Sequence, residues 1–174
     1  MSCAALECVL ADESATDALA RALALAWMQH RCPPLLIALE GDLGAGKTTF
    51  ARAFLRTLGV QGRIKSPSFS LVEEYAVEIP DLQFKGTLRT FAYHIDLYRF
   101  SDPQEWDDAG LRDVVGSPGV SLVEWPQHAH GLLPTADLTV QLEPAGERRR
   151  CSVRAATHWG SMLLNALPER QRSG

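Results

Sequence analysis

Gly41-Asp42-Leu43-Gly44-Ala45-Gly46-Lys47-Thr48 fits the pattern GxxxxGK[ST], which belongs to loops that cradle the phosphates of a nucleotide. Glycines admit backbone conformations closed to other residues, so successive N–H groups can turn inward on phosphate oxygens. A helix beginning near Lys47 would add the positive end of its dipole. Lys47 supplies a point charge for the β- and γ-phosphates, and the Thr48 hydroxyl is a hard oxygen ligand for Mg²⁺. A random chain of this length would hold the pattern on the order of once in two hundred. The flanks agree with it. Residues 35–39 form an unbroken apolar run, as in a strand buried on both faces, and residues 48–58 read as a helix closed by Gly59. A Gly-rich structural turn is the bland alternative.

Outward from the loop, residues 6–10 read as an opening strand. Ser14 is placed to cap a helix whose apolar face is Leu19, Leu23 and Trp27, at i, i+4, i+8; Pro33 and Pro34 stop it. Residues 68–77 read as β, 80–89 as a polar connection, and 90–95 as a strand ending at Asp96. Asp102-Pro103 starts a helix, since proline suits the first helical position. Residues 120–123 make a short strand ending at Glu124. Residues 138–142 and 151–155 alternate as two strands around a turn at 143–147, and 162–167 are helical. Strands alternating with helices imply an α/β, P-loop NTPase-like layered fold, with a mostly parallel central sheet and an antiparallel edge from the late strand pair.

At 174 residues, one domain is expected over 1–174, with about 168–174 as a flexible tail. The chain is 46% hydrophobic and 22% charged, with a mean hydropathy of -0.07, as in an ordinary soluble globule. Its net charge of -4 opposes the basic excess of a nucleic-acid binder. No apolar run reaches the roughly 20 residues of a membrane span, and Asp12, Glu13 and Asp17 interrupt any export signal. Cys3, Cys8, Cys32 and Cys151 form no CxxC pair, which suits reduced thiols in the cytoplasm.

A P-loop enzyme also needs an acid at the end of a neighbouring strand, to hold Mg²⁺ directly or through water. Asp96, after Phe91-Ala92-Tyr93-His94-Ile95, and Glu124, after Val120-Ser121-Leu122-Val123, both end strands where open α/β sheets place their ligands. A division of labour follows: one carboxylate on the metal, the other orienting the attacking water. Lys65-Ser66-Pro67-Ser68-Phe69-Ser70 offers hydroxyls around a rigid proline, as a loop sensing the γ-phosphate requires; a turn into a strand is the alternative.

These segments, with Leu71-Val72-Glu73-Glu74-Tyr75, His94-Ile95-Asp96-Leu97-Tyr98-Arg99, Gly110-Leu111-Arg112-Asp113 and Leu122-Val123-Glu124-Trp125-Pro126, resemble in order and number the TsaE (YjeE) family. Those are bacterial P-loop ATPases required for the threonylcarbamoyladenosine (t6A) modification of tRNA. The resemblance runs from Asp12 to about Arg154. It implies that Gly41 to Thr49, including Asp42, Leu43, Gly44, Ala45, Gly46 and Lys47, hold ATP, that Thr48 and Glu124 ligate Mg²⁺, and that Asp96 is needed for hydrolysis. Lys47, Asp96 and Glu124 would be the catalytic set. Ser68 would belong to a nucleotide-sensing switch, Trp125 would lie near the nucleotide, and Glu13 and Gly146 match positions that approach it. The implied partners are TsaB and TsaD, with tRNA contacted indirectly or weakly and no membrane. TsaD would transfer the threonylcarbamoyl group, and ATP hydrolysis here would support repeated turnover. The family's switch usually reads Ser-Pro-Thr, so Ser68 departs from it while keeping the hydroxyl; residues 76–89 are longer than usual.

Other features carry less. His128 and His130 form an HxH pair without a nearby third ligand. Arg148-Arg149-Arg150 with Arg154 is the most basic run; Arg148 and Arg150 would share a face of a solvated edge strand, with a tRNA or acidic-partner contact as the alternative. Trp106 reads as core. Arg99 is the nearest internal arginine to the expected phosphates. The competing functions are a P-loop kinase for a small molecule, which would need an arginine-rich lid within residues 80–89, and a nucleotide-gated binding module without useful hydrolysis.

Overall fold

A computed structural model of the protein describes residues 4–67, 70–81 and 85–168. Its frame is one seven-stranded sheet in the order β1-β7-β6-β2-β5-β4-β3. The strands are β1 (Ala5–Leu10), β2 (Leu35–Glu40), β3 (Val72–Asp81), β4 (Gly86–Asp96), β5 (Val120–Glu124), β6 (Leu138–Ala145) and β7 (Arg148–Ala155). The central four, β6-β2-β5-β4, are mutually parallel. The expected antiparallel edge is there, as β6-β7-β1, and a second one, β3 on β4, closes the other side.

Side chains on the central strands alternate between two cores, as the period of a strand requires. Leu35, Ile37 and Leu39 of β2 join Val120 and Leu122 of β5 under α1 (Glu13–Gln29), α2 (Lys47–Thr57) and α5 (His158–Asn165). Leu36, Tyr93, Ile95 and Val123 face the other way, onto Trp106 of α3 (Pro103–Asp108) and Leu111 of α4 (Leu111–Gly116). Leu19, Leu23 and Trp27 are fully buried, as their spacing predicts, and Trp106 is core.

Several local expectations need correction. Asp12, not Ser14, caps α1: its backbone is extended and its carboxylate accepts from the Ala15 N–H at 2.9 Å, leaving Ser14 inside the first turn. At Asp102 the helix start is as expected, with a full capping box to Glu105. α5 begins earlier than residue 162, because the Thr157 hydroxyl accepts from the Gly160 N–H. The described residues of 80–89 extend two strands and are not a loose connection. Pro80 pairs with Thr87 and Arg89 with Glu78 across the β3–β4 ribbon. β3 is an edge strand, where proline costs no ladder bond. The 143–147 turn is tighter than expected, since β6 runs to Ala145 and β7 starts at Arg148. The arginine run is not on an edge: β1 covers β7 through register pairs such as Val9 with Arg150. Residues 169–174 of the expected tail lie outside the described residues. Among the described residues no helix is long and apolar enough to cross a membrane.

Candidate active site

β2 runs into the glycine loop, and the loop into α2. Two glycines there do what no other residue would. Gly41, at φ 139°, lies so close to the Leu142 carbonyl that a Cβ would collide with it. Gly46, at φ 109°, is the N-cap of α2 and caps it with no side chain. The first-turn N–H groups of α2 therefore have no intrahelical acceptor, and they open on a cleft of about 400 Å³ lined by Leu43, Gly44, Lys47, Thr48, Tyr98 and Trp125, among others.

Lys47 is buried beneath this cleft. Its ammonium donates to the carbonyls of Gly41 at 2.6 Å and Asp42 at 2.8 Å, and lies 3.8 Å from the centre of the Trp125 ring, a cation–π contact. Burial lowers its pKa; the charges of Glu124, Asp96 and Asp42 pull the other way. Trp125 adopts φ 59°, a left-handed conformation that costs a bulky residue on the order of 1–3 kcal/mol. Its N–H on the Leu39 carbonyl at 3.3 Å helps fix that geometry.

The two strand-end acids meet as the alternation of elements predicts. Asp96 of β4 and Glu124 of β5 are register partners, and both are buried. Glu124 Oε2 accepts from the Thr48 hydroxyl at 2.9 Å, while Oε1 lies 2.8 Å from His94 Nε2. Asp96 Oδ1 accepts from the Tyr98 N–H at 2.9 Å and Oδ2 from the Ser66 hydroxyl. Thr48 and the two carboxylates form a hard-oxygen set suited to Mg²⁺, and the orphan N–H groups beside a buried ammonium suit a polyphosphate.

Of the residues singled out in the sequence, Leu43, Gly44, Gly46, Lys47, Thr48, Thr49, Asp96, Glu124 and Trp125 line this one cleft, as do Ser66 and Arg99. Gly41, Asp42 and Ala45 supply the carbonyls that Lys47 and Arg149 grip. Gly146, at φ 67°, sits at the β6–β7 turn, outside the lining. Glu13 is elsewhere, in a cavity with Asp17, Arg21, Arg52 and Arg56. Ser68 lies outside the described residues. His128 is used on the Leu97 carbonyl at 3.0 Å and stacks on Trp125.

Arg149 and His94 act at the site in ways their local sequence does not specify. Arg149 points from β7 onto the loop, its Nε donating to the Ala45 carbonyl at 3.0 Å; a third arginine between Arg148 and Arg150 on an alternating strand had to face the other way. His94 stands two residues before Asp96, and a polar side chain inside an apolar strand was the available signal.

Residues 10–152 match the family model described as threonylcarbamoyl adenosine biosynthesis protein TsaE. The chain is 37% identical over 137 residues to a Haemophilus influenzae protein named tRNA threonylcarbamoyladenosine biosynthesis protein TsaE, covering 79% of this chain and 80% of that one. A Bacillus subtilis protein of the same name is 37% identical over 118 residues, 68% of this chain and 67% of its own. The crystal structure of Bacillus subtilis YdiB superposes with a TM-score of 0.74 at 29% identity, covering 98% of both chains.

Proposed function

The chain belongs to the TsaE family, and on that premise we propose that it is a Mg²⁺-dependent ATPase of tRNA t6A biosynthesis whose hydrolysis supports turnover of a TsaB–TsaD assembly in the cytoplasm. The observation that carries the reading is the convergence of Lys47, Thr48, Asp96 and Glu124 on one cleft at the head of an uncapped helix.

Each residue has a task. The N–H groups from Gly44 to Thr49 and the Lys47 ammonium hold the phosphates, the ammonium leaving the Gly41 and Asp42 carbonyls to do so. Thr48 and Glu124 hold Mg²⁺, which when bound neutralises charge on the β- and γ-phosphates. Asp96, fixed by Ser66 and the Tyr98 N–H, orients and deprotonates the attacking water. Arg99 and Arg149 line the same cleft and add positive charge toward the phosphates. Ser68, two residues after Ser66 in the sequence, senses the γ-phosphate. Hydrolysis is slow alone and faster with partners.

The kinase alternative is weakened by the segment that would have to be its lid. Its described residues extend the β3–β4 ribbon, and Arg89 there is paired with Glu78 at 2.8 Å. The test is a reconstituted t6A assay with TsaB and TsaD, run over several turnovers. With this chain and ATP, product should pass one equivalent per TsaD; equal yields without the chain contradict the reading, as does a phosphorylated metabolite formed from ATP.

A further inference from the structure

His94 is fully buried, and only one of its ring nitrogens has a partner. Nε2 lies 2.8 Å from Glu124 Oε1; Nδ1, equally buried, has none among the described residues. That asymmetry assigns the proton. A buried N–H without an acceptor is costly, and a ring nitrogen facing a carboxylate must carry hydrogen to bond it. The ring is therefore the Nε2–H form, donating to Glu124.

The register explains the reach. His94 pairs with Leu122 and Asp96 with Glu124, so His94 and Glu124 are diagonal neighbours on the sheet face that carries α2. Glu124 is thus held from two directions: β4 grips one oxygen through His94, and α2 grips the other through Thr48 at 2.9 Å. A carboxylate with only the Thr48 contact could rotate about its last bonds.

We propose that His94 is a positioning residue: its Nε2–H clamps Glu124 so that the free lone pairs of the carboxylate, together with the Thr48 hydroxyl, face the divalent cation. This rests on the nucleotide reading above. Groups that orient metal ligands in this way typically cost 10–100-fold in metal affinity when removed.

Three variants discriminate. Glutamine places an amide N–H about as far from the backbone as Nε2, asparagine about as far as Nδ1, and leucine fills space without donating. The readout is the Mg²⁺ concentration giving half of the ATP-induced change in Trp125 fluorescence, with melting temperature measured alongside. We expect His94→Leu and His94→Asn to raise that concentration about tenfold or more, and His94→Gln to stay within about threefold of the parent. Equal shifts in all three, or shifts that follow melting temperature alone, overturn the proposal.

A measurement on the unaltered chain guards against variants that do not fold. Long-range ¹⁵N–¹H spectra of the histidine rings should show His94 protonated at Nε2 and not at Nδ1; the opposite tautomer overturns the clamp. Failure of the reading beneath it has a different signature, since the parent chain would then give no fluorescence response to Mg²⁺ and ATP at all.

Discussion

At the C-terminal end of β2 the chain buries Lys47, His94, Asp96 and Glu124 around one cleft. Beside the N-terminal end of β2 lies a second cavity, of about 250 Å³, lined by Met28, Cys32, Ile79, Pro80 and Leu88, with Arg31 and Asp81 paired at 3.2 Å. Both are bounded by strained turns, since Arg31 and Cys32 also have positive φ. Only the first spends that strain on charge. Burying ionisable groups is expensive unless each is bonded, and at the C-terminal end each is: Lys47 on carbonyls, Glu124 on Thr48 and His94, Asp96 on Ser66 and a backbone N–H. In the second cavity only the Asp81 carboxylate is withdrawn from water, its partner Arg31 stays half exposed, and burial raises the pKa of the Cys32 thiol. A concavity of suitable size is therefore not what marks the site; the bonded buried charge is.

The sharpest way to break this contrast is Asp96→Asn. It keeps the shape and the Tyr98 contact while removing the base, so hydrolysis should fall about 10²–10⁴-fold with ATP affinity little changed; single-turnover rates beside equilibrium titration check this. Lys47→Ala comes next. Removing a charge-assisted contact is worth about 2–3 kcal/mol, or roughly 30–160-fold in ATP affinity, and a variant that binds normally would return the loop to a structural turn.

The second cavity should respond weakly. Burial pushes the Cys32 thiol up from 9.0 to about 11, so at pH 8 its thiolate is scarce. Part of that loss is offset by higher nucleophilicity, leaving iodoacetamide labelling about tenfold slower than for an ordinary thiol. Labelling should accelerate as pH rises toward 11. Peptide mass spectrometry resolves the site, and rapid labelling at pH 8 would make this end reactive after all. Smallest in its effect on nucleotide is Arg31→Ala, which removes the half-exposed partner of a largely buried Asp81 carboxylate. Stability should drop by about 1–3 kcal/mol in chemical denaturation, with ATP affinity unchanged.

How far the sequence could be read follows the same division. The loop, Thr48 and the two strand-end acids were legible because each depends on local pattern: eight consecutive residues, or the last position of an apolar run. What was missed depends on pairing between distant segments. Arg149 meets Ala45 across 104 positions and His94 meets Glu124 across 30, and neither spacing leaves a periodic trace. Only residues 80–89 of the β3–β4 ribbon read as a connection, because the described ones are mostly exposed and their polar composition and Pro80 imitate a loop. β7 was read as an edge because nothing in residues 6–10 announces which strand they will cover. Glu13, drawn in by family likeness alone, lies with Arg52 and Arg56 rather than with the phosphate loop.

Titration calorimetry of ATP with Mg²⁺ into the intact chain tests the central claim most directly. A saturable heat with one nucleotide per chain is expected, the affinity weakened at least about 30-fold by Lys47→Ala in protein that remains folded. No heat from well-folded parent protein with any purine triphosphate would contradict the claim.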